Sequence, residues 1–150
     1  MTLILSNEEI SQLLSIEDVL DALEEVYKDL HAGRAVTRRR SDTLVPAHHD
    51  GEEAIYGFKT MDGVAPSQGF SAVRLNSDIV TWPVIEGSLR RVKIPAAPNN
   101  RWVGLVLLFS TKNGEPLAIM PDGVVQRMRV GATNGLGVKY MARESAKTVG

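Results

Sequence analysis

The sequence predicts an α+β domain: a mixed or antiparallel sheet, two N-terminal helices and one long C-terminal helix. Three observations carry this. Apolar residues recur at helical spacing up to Leu30, extended and alternating patterns run from Ala35 to Met120, and helical spacing returns after Pro121. Helices, then a run of strands, then a single helix is the order of an α+β layer, not of alternating βαβ units.

Ser6, followed three residues later by Glu9, is a capping box that opens a helix through Leu14. Ser15 caps a second helix, with Glu17 and Asp18 at its positive end. Val19, Leu20, Leu23, Val26, Tyr27 and Leu30 share one face of it, and Gly33 supplies the stop. From Ala35 to Val45 the chain is extended, with Val36, Arg38, Arg40, Asp42 and Leu44 on one face. PAHHDGEE is a turn with Asp50-Gly51 at its tip, and Ala54 to Met61 is a strand with Ile55, Gly57, Lys59 and Met61 on one face. FSAVRL and DIVTW are two further strands, and Glu86 to Ile94 holds another, basic through Arg90, Arg91 and Lys93. IPAAPNN is a proline-rich loop. Trp102 to Ser110 is nearly all apolar, as expected of a strand buried on both faces. Lys112-Asn113-Gly114 turns it back into Glu115 to Met120, and the long helix runs from Pro121-Asp122 to about Arg143.

Composition narrows the function classes. The 150 residues are 43% hydrophobic and 23% charged, values of an ordinary globular domain. A net charge of −1 supplies no field for nucleic acid or an anionic membrane. The chain has no cysteine, which excludes thiolate metal sites and fits a reducing compartment. The apolar start of MTLILSNEE is too short for a signal peptide, and no stretch approaches the roughly 20 apolar residues of a spanning helix. These features lead to the expectation of a cytoplasmic protein that binds neither nucleic acid nor membrane.

Three cations stand out. Arg129 falls in line with Val125, Ala132 and Leu136, on the stripe expected to face inward. A guanidinium keeps its proton, so a buried one needs an anion, either a carboxylate of the domain or a ligand. Gly131 and Gly135 favour close approach to that helix, since each costs about 1 kcal/mol against alanine. Lys59 lies on an otherwise apolar strand face; it either snorkels to the edge or holds a substrate carboxylate. Among Arg38, Arg39 and Arg40, alternation prevents joint action, but one planar guanidinium can grip a carboxylate with two bonds. His48 and His49, adjacent in a turn, make a poor metal site, and no metal is expected.

The element order, with DALEEVYKDLHAGRAVTRRR, YGFKTM and GLVLLFSTKNGEPLAIMPDGVVQRMRVGAT, resembles the N-terminal half of the ornithine cyclodeaminase/mu-crystallin family of NAD(P)-dependent enzymes. The phrase LVLLFSTKNGEPLAIMPDG, followed by a helix with Arg-x-Gly-Ala, is its most specific part. The resemblance implies a two-domain subunit: residues 1–143 as substrate-binding and dimerisation domain, and residues 144–150 as the start of a truncated Rossmann domain. It implies a homodimer, a small amino or imino acid substrate, and NAD or NADP, most of whose site would lie beyond Gly150. Either lyase (cyclodeamination) or oxidoreductase chemistry fits. By the same resemblance Arg40 and Lys59 bind the substrate carboxylate, with Arg38 competing with Arg40; Lys59 is the candidate catalytic residue, and Arg129 meets cofactor phosphate. The alternative is a non-catalytic, mu-crystallin-like binding and dimerisation module. Two departures stand against the family pattern: Val130 where a threonine is common, and a long segment from Asp62 to Arg101.

Overall fold

The computed structural model describes residues 1–94 and 104–148. Its elements are β1 (Leu3–Ile4), α1 (Asn7–Leu13), α2 (Ile16–His31), β2 (Val36–Thr37), β3 (Ser41–His49), β4 (Glu52–Ala65), β5 (Phe70–Thr81), β6 (Val84–Ile85), β7 (Ser88–Leu89), β8 (Val92–Ile94), β9 (Gly104–Ser110), β10 (Pro116–Pro121) and α3 (Asp122–Met141). The main sheet runs β1-β10-β9-β5-β4-β2, with β3 also on β4 and β8 also on β5. It is mixed because β1 pairs parallel to β10 while its other pairs are antiparallel. The α+β expectation therefore holds.

Local chemistry explains the helices. Ser6 and Glu9 form a reciprocal capping box on α1, and Ser15 and Asp18 form one on α2. The α2 end is tied down by Asp29, 6% exposed, which accepts from Arg34 at 2.7 Å and from the Ser67 hydroxyl. Asn7 caps α3 from a distance: its side-chain oxygen accepts from the Val124 amide at 3.1 Å. α3 then packs on α2, where Gly135 lets the Leu20 side chain approach and Lys139 pairs with Glu24 at 2.7 Å. Lys139 first, then Tyr140 and Lys28, hold the Glu24 carboxyl down at about 2.

Several strand expectations are corrected. The extended run from Ala35 is broken at Arg38–Arg40, where Arg38 pairs with Asp62 at 2.7 Å and Arg40 with Asp42 at 2.8 Å. The segment read as a turn continues β3 to His49, so only Asp50-Gly51, both at positive φ, turns the chain. FSAVRL and DIVTW are one strand, because β5 finds β4 as an unbroken partner from Phe70 to Val80. Glu86 sits in a tight turn with Gly87 between β6 and β7, and β8 follows on β5. The predicted loop IPAAPNN and the first residues of the Trp102 strand lie mostly outside the described residues.

The expected two-sided burial of β9 does not hold. Only Gly104 is buried; Leu105 to Ser110 are half-buried. The reason is that the helices share one side of the sheet, with α3 meeting Arg74 and α2 lying over Ala65, Phe70 and Ala72. On the opposite side, register aligns Val45, Tyr56, Phe58, Leu75, Leu105 and Leu107, and no described helix covers them. Val45 is 46% and Phe58 38% exposed. None of the described helices is long and apolar enough to cross a membrane.

Gly104 makes the closest backbone approach in the sheet: a Cβ there would sit 2.0 Å from the Leu75 carbonyl oxygen. Gly104→Ala is expected to lower stability by about 1–3 kcal/mol in urea unfolding, with an unchanged m-value if the fold itself survives.

Candidate functional site

The helix-covered face of β3, β4 and β5 carries a row of charges among apolar neighbours. Register sets it: Asp42 lies opposite Lys59, Lys59 opposite Asn76, and Gly57 opposite both Leu44 and Asp78. Directly opposed residues project to the same face, so Arg40's partner Asp42, Lys59, Asn76 and Asp78 form one band.

At its centre Lys59 and Asp78 form a buried ion pair through Nζ and Oδ1, with side chains 6% and 1% exposed. Lys93, from β8, faces the other Asp78 oxygen at 3.1 Å. Burial pushes the Asp78 carboxyl up, but the bond from Lys59 and the charge of Lys93 outweigh it and hold the group below the usual aspartate range. Gly57 makes the pair possible. A Cβ there would lie 2.8 Å from Lys59 Nζ and 3.0 Å from Asp78 Oδ1. The lysine therefore does not snorkel to the edge. It turns inward onto a carboxylate that sequence reading missed, although Asp78 on an otherwise apolar strand pattern, DIVTW, was a visible signal.

A second buried pair adjoins the row. Arg74, opposite Met61, donates to Asp122 at 2.7 Å and to Gln126 at 2.6 Å, so the sheet grips the first turns of α3. Asp122 is fully buried, and it also stands at the helix's positive end. Sequence reading passed over Arg74 because its strand was taken as two pieces and its partner lies 48 residues away.

The three expected site residues fare differently. Lys59 turns to Asp78, whereas Arg40 is exposed and pairs with Asp42, which lies opposite Lys59 in register only. Arg38 is committed to Asp62 and leaves the row. Arg129 is not buried, as the inward stripe required: Ala132 and Leu136 are 1% and 7% exposed, but Arg129 is exposed. The cause is that α3 packs on the sheet through its first turns and on α2 through its later ones, leaving Arg129 between the two contacts. It has no ion-pair partner among the described residues. Asp122, Gln126 and Arg129, spaced four and three apart, lie along one side of α3. Gly131 has open space around it, so no packing contact explains it. The band thus holds one buried cation, Lys59, beside the more exposed Arg40 and Lys93, with the Arg129 guanidinium farther along the helix.

Comparison with known proteins agrees with this architecture. Residues 93–150 match the model of the ornithine cyclodeaminase/mu-crystallin family. A Δ1-pyrroline-2-carboxylate reductase of Bacillus cereus is 28% identical over 153 residues, covering 98% of this chain and 40% of the relative. Among solved structures, the Thermococcus litoralis Δ1-pyrroline-2-carboxylate reductase in complex with NADH and L-proline superposes with a TM-score of 0.68 at 22% identity, over 97% of this chain and 40% of that one. An archaeal alanine dehydrogenase dimer with bound NAD gives 0.67 at 23% identity, over 97% and 39%. The chain is thus similar to the ornithine cyclodeaminase/mu-crystallin family over residues 93–150 and shares its fold with these relatives, covering their N-terminal part, about two fifths of their length.

The charge row makes a pH prediction. A carboxyl held low in the folded state stabilises it fully above its unfolded value of about 3.9 and loses that contribution as pH falls through the folded value. Urea midpoints of the wild type are expected to fall steeply below about pH 4, and those of Asp78→Asn to fall less steeply over the same range. Equal slopes would contradict the assignment.

Proposed function

We propose that this chain is the substrate-binding and dimerisation part of an NAD(P)-dependent enzyme acting on a small amino or imino acid. The observation that carries the reading is the band Arg40–Asp42–Lys59–Asp78, cations held on one sheet face where a small carboxylate could be seated. Arg40 and Lys59 bind the acid group of the substrate, and Lys59, whose ammonium is already oriented by Asp78, is the residue able to hold or move a proton beside it.

The cofactor reading rests on Arg129. An exposed guanidinium with no carboxylate partner among the described residues, two positions before a glycine with open space, fits a phosphate approaching α3. When bound, the nicotinamide supplies hydride chemistry; this chain supplies the acid grip and one phosphate contact. The remaining contacts belong to a Rossmann domain beginning near residue 144, as in the two-domain plan that the family resemblance implies. Relatives named as reductases of pyrroline-2-carboxylate and as an alanine dehydrogenase favour redox chemistry on an imino or amino acid over cyclodeamination.

The uncovered apolar side of the sheet supports a homodimer. Contiguous apolar surface of this kind marks an association site, and the archaeal alanine dehydrogenase is a dimer. The same surface would serve a non-catalytic binding module; the relatives named as a pyrroline-2-carboxylate reductase and an alanine dehydrogenase favour the enzyme.

Sedimentation and turnover test this together. The 150-residue chain is expected to sediment as a dimer, with Phe58→Asp shifting it to monomer, and to show no NADH oxidation with pyrroline-2-carboxylate. Sustained turnover by the chain alone would contradict its dependence on a nucleotide-binding domain.

A further inference from the structure

The geometry points to Lys93 as a further substrate-binding residue, the exposed ammonium that meets the carboxylate of a monoacid at the Lys59–Asp78 pair. This rests on the carboxylate-binding reading above and adds to it a residue from β8.

The argument begins with charge. Arg40, Asp42, Lys59, Asp78 and Lys93 are three cations against two carboxylates, a net charge of +1 along one band. The neighbouring Arg74–Asp122 pair is balanced within itself and does not alter this count. One added carboxylate neutralises the band, whereas a diacid would leave it negative. The ligand class is therefore a small acid with a single carboxylate.

Exposure then decides which ammonium meets the ligand. The Lys59 side chain is 6% exposed and hydrogen-bonded to Asp78 Oδ1, so taking it away would leave a buried carboxylate short of its main partner. Lys93 is 51% exposed and faces Oδ2 at 3.1 Å, where its bond and its charge both help to hold Asp78 low. That oxygen is shut off from solvent, and Lys93 is the cation that faces it. A half-exposed ammonium has three donors, so it can meet an incoming carboxylate while it still faces Asp78 Oδ2.

Topology places Lys93 for this. β8 pairs with the end of β5, Val80 opposite Lys93, so Lys93 shares the face of Asp78, one strand beyond it. Across the face the order is Arg40 and Asp42, then Lys59, Asp78 and Lys93. Lys93 thus approaches the Lys59–Asp78 pair from the β8 side.

The test is a chemical-shift titration of the 150-residue chain with pyruvate, and with succinate for comparison. Lys93→Met is expected to weaken pyruvate binding about tenfold or more and Lys93→Arg to retain it, with circular dichroism showing both variants folded. Succinate is expected to bind more weakly than pyruvate. Equal pyruvate affinity in wild type and Lys93→Met, with loss in Arg40→Met, would overturn the role of Lys93 and leave the carboxylate site standing. No pyruvate binding by the wild type, with the fold intact, would overturn the site and with it this inference.

Discussion

The buried pair of Lys59 and Asp78 is the interaction on which the rest of the site depends. Two side chains almost closed to water are matched in charge and in direct hydrogen-bond contact. Removing water from two ions costs several kcal/mol each, and only close geometry offsets that. The pair therefore dictates its surroundings. The register of β4 on β5 puts residue 57 opposite Asp78, and glycine there leaves room for both charged atoms, which a methyl group would push aside. A one-residue slip would send Lys59 to the opposite face, away from Asp78.

From that pair the order extends in two directions. Toward β8 it meets Lys93, and toward β3 the register places Asp42, the partner of Arg40, opposite Lys59. One step along the same face, Arg74 fixes the start of α3 through Asp122 and Gln126. Since Arg129 follows on that side of the helix, the Arg74 clamp sets the position of a residue that it does not touch. The sheet face thus positions both the proposed acid site and the proposed phosphate contact, while its apolar reverse is left for association.

Much of the fold was legible in the residues. Ser6–Glu9 and Ser15–Asp18 announce the helices because capping is local chemistry, and Asn113-Gly114 announces its hairpin for the same reason. Lys59 was legible as an anomaly on its strand face. Its partner was less so, since Asp78 acquires meaning only when β5 is laid in register against β4. Arg129 shows the opposite failure: helical periodicity gives the direction of a side chain, but not where the neighbouring surface ends. The break at Arg38–Arg40 and the continuation of β3 through His48 likewise depend on partners, Asp62 and β4, far along the chain.

A double-mutant cycle on Lys59→Met and Asp78→Leu, read by urea unfolding, tests the central claim most directly. Each single change should cost about 3–5 kcal/mol or leave the chain barely folded, and the double variant should recover a coupling energy of about 2 kcal/mol or more. Additivity of the two changes within about 0.5 kcal/mol would show that the charges do not sense each other, and the account of the site would fail.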